Sequence, residues 1–234
     1  LDYFFGDAGP RVIVCGSERL GIVAASARDA TVLTLDAHGG ELLDRAEGKS
    51  ELFDTVPRAP DDLAAILYTS GTTGRSKGAM VTHGNLTSNG AVLKEYWRFT
   101  ERDVLLHALP TFHVHGLFVG IHPILLAGAK ILFHRRFDAP AMVAALPRAT
   151  AMMGVPTFYV RLLGEPGLAR EAVAHMRLFV SGSAPLLLET EPAPRFADEE
   201  RVTFARAIFA PSEHERAVFP SFDALAWGLA IHDE

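Results

Sequence analysis

The chain has 234 residues, a net charge of -6 and 49% hydrophobic residues, enough for a sizeable core in one large domain or two small ones. The mildly acidic balance, with no basic stripe, argues against nucleic acid as a partner. A lone cysteine, Cys15, cannot close an internal disulfide and fits a reducing, cytoplasmic setting, with a buried structural role as its default.

Leu1 carries no initiator Met and no basic stretch, so no signal peptide is read there. Residues 11–15, RVIVC, form a short β-branched run and predict a strand. Helical spacing follows over 17–28, with Ser17 placed as N-cap. A second strand is expected at 31–35, TVLTL, and the strand–helix–strand rhythm points to a parallel α/β unit. Residues 36–62 are polar and read as a weak helix within a long loop. An apolar run over 63–68 drops into a Thr/Ser/Gly loop, and apolar character resumes at Ala79 and Met80.

Beyond that loop a helix is expected over 83–96, a strand over 103–108 ended by Pro110, and a mostly apolar helix over 112–126. Strands at 129–133, 149–155 and 177–180 alternate with helices at 139–146 and 156–163, the latter with Pro156 in its first turn. The most apolar long stretch, 116–133, contains His122, Pro123, Gly128 and Lys130, so a buried helix, turn and strand fit it better than a membrane span. The expected fold class is α/β, with layered, mostly parallel sheets and flanking helices.

Residues 66–80, ILYTSGTTGRSKGAM, carry the strongest chemical signal. Glycines let backbone N–H groups converge on an anion without a Cβ in the way. Thr69, Ser70, Thr72, Thr73 and Ser76 add hydroxyl donors, and Arg75 and Lys77 add positive charge. A Walker loop is excluded, because Gly74 and Lys77 are separated by two residues and Gly78 follows the lysine. The dinucleotide fingerprint is excluded too, because Gly71 and Gly74 lack a third glycine at the right spacing. GAMVTH reads as a strand, so the loop is expected to join two strands rather than a strand and a helix. The bland alternative is a solvated Gly/Ser linker, which rarely sits between two apolar runs.

Residues 69–78, TSGTTGRSKG, resemble the signature loop of the adenylate-forming superfamily, which includes acyl-CoA synthetases, peptide-synthetase adenylation domains and luciferases. The resemblance implies that Thr69, Ser70, Gly71, Thr72, Thr73, Gly74 and Lys77 grip the β- and γ-phosphates of ATP, with Thr69 beside Mg2+. Residues 109–118, LPTFHVHGLF, resemble the family's Pro-x-x-His-x-x-Gly segment, which places His113 near the pantetheine tunnel and the carboxylate being activated. Read from the residues alone, His113 and His115 also invite a zinc site, but an i, i+2 pair points apart on a helix and no Cys or HExxH pattern supports it. Two histidines at a helix end remain the plain reading. SGSAP over 181–185 is weak by itself, and by resemblance it lays Ser181, Gly182, Ser183 and Ala184 against adenine.

GVPTFY over 154–159 resembles the wall of an acyl pocket. Arg161 and Arg177 flank it, and a dicarboxylate needs a cationic fork where a fatty or aromatic acid does not. Surface arginines are the plain reading. EYWRFTERDVLLHALPTFHVHGLF and HMRLFVSGSAPL resemble malonyl-CoA synthetases most closely. The resemblance covers 1–190 and implies part of the N-terminal adenylation domain of an ATP- and CoA-using acid–CoA ligase acting on a small, malonate-like carboxylic acid. Residues 191–234 read as a divergent tail without the Tyr-Gly-x-Thr-Glu motif, the ribose-binding Asp, the hinge or the lid lysine. A frame-shifted or fused fragment, inactive by itself, is therefore expected. The alternatives are a non-catalytic nucleotide- or acid-binding fragment and a peptide-synthetase adenylation domain. Oligomeric state is left open by the sequence.

Overall fold

The computed structural model describes residues 1–69, 76–183, 203–207 and 229–230. The chain divides into two compact units, Leu1–His83 and Gly84–Glu234.

The first unit opens with helix α1, Asp2–Ala8, closed by Gly9 in the left-handed region at φ 55°. Strands β1, Val12–Cys15, and β2, Thr31–Thr34, pair in parallel, Val12 opposite Thr31, with helix α2, Leu20–Ser26, between them. The expected parallel unit is therefore present. Ser17 does not cap the helix: it lies in a short 3-10 turn, and its backbone N–H and hydroxyl both donate to the Asp36 carboxylate. That bond pins the turn to the end of β2, and it holds the Asp36 carboxyl below its ordinary pKa. Helix α3, Glu41–Ala46, is the weak helix of the polar stretch. Strands β3, Leu63–Thr69, and β4, Lys77–Thr82, pair antiparallel.

Helix α4, His83–Tyr96, starts at the last residue of the first unit and otherwise belongs to the second. The sheet of the second unit contains β5, Val104–His107; β6, Lys130–Phe133; β7, Ala151–Gly154; β8, Leu178–Gly182; β9, Thr203–Ala207; and β10, Leu229–Ala230. The order is β10-β9-β8-β7-β5-β6, all parallel except the β10–β9 pair. Strand β9 lies within 191–234, the stretch that the sequence left without any element. It pairs with β8, Leu178 opposite Thr203.

Successive residues of these strands face opposite layers. Leu106, Met152 and Phe179 point into one core with helix α6, Ala139–Ala145, and helix α7, Pro156–Leu163. Leu105, Met153 and Val180 point into the other, with α4, a π-helical segment His115–Ile121 and helix α5, His122–Leu126. A parallel sheet covered on both faces needs apolar residues at nearly every position, and the runs LLH, AMM and LFV supply them. Asp138 caps α6, accepting from the Ala141 N–H at 3.1 Å. Tyr159 of α7 is fully buried, and its hydroxyl donates to the Val180 carbonyl at 2.5 Å, fastening α7 to β8. Among the described residues no helix is long and apolar enough to cross a membrane.

Three strands are clipped together at their amino ends. The Asp103 carboxylate, just before β5, accepts from Arg177 Nε at 2.7 Å, the Thr150 hydroxyl at 2.7 Å and the Thr100 N–H at 2.9 Å. Arg177 also donates to the carbonyls of Trp97 at 2.8 Å and Arg98 at 3.3 Å, and it lies over the Phe99 ring. Burial alone would push the Asp103 pKa up; bonds from Arg177, Thr100 and Thr150 outweigh it and hold the carboxyl below its usual 3.8. A carboxyl depressed in the fold stabilises it above the unfolded pKa, and this contribution disappears as pH falls through the folded value. Thermal stability is thus expected to drop below about pH 4, and Asp103→Asn should flatten that drop. At neutral pH Asp103→Ala should cost about 3 kcal/mol in a urea titration, since it strands the guanidinium. A change under about 0.5 kcal/mol, the range of a plain surface substitution, would refute the clip.

Candidate active site

The signature loop hangs on a hairpin. Ser70, Gly71, Thr72, Thr73 and Gly74 fall at positions 70–75, outside the described residues. The stem is described: Tyr68 pairs with Gly78 and Thr69 with Lys77 across the β3–β4 ladder. The expectation that the loop joins two strands is met. Helix α1 braces this stem from both sides. Phe4 meets the Tyr68 ring edge-on at 4.8 Å, and the Tyr68 hydroxyl donates to the Asp7 carboxylate at 2.6 Å. The Tyr3 hydroxyl donates to the Ser76 carbonyl at 2.6 Å, immediately before β4. The bond to Asp7 stabilises the neutral phenol of Tyr68 and pushes its pKa up to about 12.

In the second unit, residues 109–118 follow the carboxyl end of β5, and Ser181–Ser183 lie at the carboxyl end of β8. Ligand sites of parallel sheets gather at such ends. Pro110, His113 and Gly116 form one tight turn. The His113 N–H donates to the Pro110 carbonyl at 3.2 Å. A Cβ on Gly116 would come within 2.2 Å of that same carbonyl oxygen, so only glycine fits. The two histidines differ in setting: His113, in the turn before the helical segment, is exposed beside Phe112, whereas His115, which opens that segment, is buried.

The sequence assigns His115 no role in the site, yet it joins the two loops. Its Nδ1 lies 3.2 Å from the Ser183 hydroxyl. Ser183 adopts φ 71°, a left-handed conformation uncommon for a non-glycine residue. Ser181 is buried and Gly182 pairs with Ala207 of β9; Ala184 lies outside the described residues. His107, at the end of β5, is fully buried and stacks on Phe133. Burial pushes both His107 and His115 down to about 4, so both rings are neutral at neutral pH. A histidine inside a long apolar run is the local signal for His115, but its partner stands 68 residues away.

The two arginines part company. Arg177 is not free to fork a substrate carboxylate, because Asp103 and two backbone carbonyls already fill its donors at the opposite ends of the strands. Arg161 of α7 is exposed, with its guanidinium carbon 4.8 Å over the Phe137 ring, which in turn stacks on Phe158 at 4.0 Å. Among the described residues no carboxylate pairs with it. Nor, among them, do three His, Cys, Asp or Glu side chains come together to hold a metal ion. Thr69, which the resemblance sets beside Mg2+, closes β3 opposite Lys77. A threonine offers a single neutral oxygen, too little to hold the ion without the phosphates of a nucleotide.

A phosphate-type loop on a hairpin, and two loops tied at the carboxyl ends of a parallel sheet, agree with a family match. Residues 1–196 match the AMP-binding enzyme family. The chain belongs to that family. It is 51% identical to the ATP-bound MatB of Rhodopseudomonas palustris, with a TM-score of 0.81, over 88% of this chain and 41% of that one. It is 34% identical to the mitochondrial malonate–CoA ligase of Mus musculus over 202 residues, covering 80% of this chain and 35% of the relative. It is 32% identical to a feruloyl-CoA synthase of an Amycolatopsis species over 204 residues, covering 85% and 39%. The chain thus spans about two fifths of the length of the relatives it matches.

The Gly116 contact carries its own test. Gly116→Ala must push the Pro110 carbonyl aside, and it should cost about 1–3 kcal/mol in chemical denaturation. A variant as stable as wild type would show that the turn has room to spare.

Proposed function

We propose that the chain is part of the N-terminal domain of an AMP-forming acid–CoA ligase that activates a small dicarboxylate of the malonate type. The observation that carries this reading is the β3–β4 hairpin, which brings Thr69 and Lys77 into register at the two ends of the hydroxyl- and glycine-rich loop. The likeness to an ATP-bound MatB supports it.

The reaction has two halves. One carboxylate oxygen attacks the α-phosphorus of Mg·ATP, the bond to the β-phosphate oxygen breaks, and pyrophosphate leaves. The sulfur of CoA then attacks the acyl carbon, the bond to the AMP oxygen breaks, and the thiol proton passes to solvent. Most of the catalysis is positioning and charge neutralisation. Lys77 and the loop hold the β- and γ-phosphates, with the metal entering as part of the nucleotide. Residues 181–184 receive adenine, and His113 stands by the reacting carboxylate. Arg161 clamps the second carboxylate, its guanidinium steadied on Phe137 and Phe158 beside the pocket wall. Residues 1–190 are read as the adenylation domain and 191–234 as a separate tail; the family match runs on to 196, and 203–207 extend the sheet.

Two substitutions in the full-length enzyme test the reading. Lys77→Ala should raise the KM for ATP several-fold or more, and unchanged ATP kinetics would rule out the phosphate role. Arg161→Ala should lower kcat/KM for malonate by about 10- to 100-fold, the size of one charge-assisted hydrogen bond, and leave benzoate nearly untouched. Preference of the unmodified enzyme for octanoate or benzoate over malonate would overturn the substrate class.

A further inference from the structure

Three observations converge on His115. It is a buried histidine whose ring bonds a serine from another strand end, Nδ1 to Oγ at 3.2 Å. That serine, Ser183, is held at φ 71°, where a side chain is disfavoured and a local constraint is needed to keep it. His115 also opens the π-helical segment His115–Ile121, a rare form that recurs where function demands a particular side-chain direction. Behind it the turn cannot give, because Gly116 is packed on the Pro110 carbonyl.

We propose that His115 is a positioning residue for the nucleotide: its hydrogen bond to Ser183 sets the Ser-Gly-Ser loop in the shape that receives the adenine ring. It would couple the Pro-x-x-His-x-x-Gly segment, residues 109–118, to the nucleotide loop, so that the two substrates meet in a fixed relation. His115 itself touches neither base nor phosphate; it acts through Ser183. This rests on the reading of residues 181–184 as the adenine loop. The neutral ring suits the task, since it can pair with a hydroxyl without bringing a charge into the core.

The test separates the base from the phosphates. The 234-residue chain is titrated with AMP and, separately, with inorganic triphosphate, and the melting temperature is recorded for each variant. His115→Ala should weaken AMP binding about 5- to 10-fold, the loss of one neutral hydrogen bond, with triphosphate affinity unchanged. His115→Asn, whose amide sits where Nδ1 does, should recover most of the AMP affinity. Ser183→Gly tolerates the left-handed backbone but lacks the hydroxyl, so it should bind AMP as weakly as His115→Ala and melt no lower than wild type. The double variant should lose no more than either single one. The proposal is overturned if His115→Ala binds AMP like wild type, or if it loses AMP and triphosphate together with its melting temperature. A wild-type chain that binds triphosphate but not AMP would remove the adenine reading of the loop. One that binds neither would remove the nucleotide reading of the whole chain.

Discussion

A parallel sheet buried on both faces has nowhere to place chemistry except at its ends. In the second unit, β5, β7 and β8 are apolar at nearly every position because each residue meets a helical layer on one side or the other. Polar groups are therefore pushed to the strand termini, and the two termini do different work. The amino ends hold Asp103, Thr150 and Arg177, which satisfy one another and the local backbone. The carboxyl ends hold His107, His115 and Ser181–Ser183, at the end of a parallel sheet where ligand sites commonly gather. The division explains why Arg177, an attractive clamp when read as sequence, belongs to the scaffold.

Local pattern made much of this legible. The helices over 83–96 and 156–163 lie where periodicity and a first-turn proline place them, and the strands β5 to β8 fall within a residue or two of their apolar runs. The setting of the signature loop between two strands followed from the apolar runs on either side. The family could be recognised from the same residues.

What escaped was non-local. Ser17 carries the right side chain for an N-cap, but Asp36 competes for its hydroxyl from across the β1–β2 pair. Nothing in the stretch over 203–207 marks a strand until β8 offers it a ladder. An apolar run such as 115–121 supports α- and π-helical turns equally well in sequence, and packing decides between them. Asp103 and Arg177 stand 74 residues apart, and His115 and Ser183 stand 68 apart, so neither pair shows in any local window.

Helix α1 extends this point to the order in which the chain acquires its shape. Tyr3 and Asp7 reach the stem of the signature loop across 73 and 61 residues of chain. Contacts of such span are slow to form, because the entropy of closing the intervening loop is lost before the contact returns anything. During synthesis helix α1 must therefore wait for residue 76 to emerge before its bond to Ser76 can form. Until then the aromatic side chains of Tyr3 and Phe4 lack the Tyr68 ring that they pack against, and they stay open to other apolar surface.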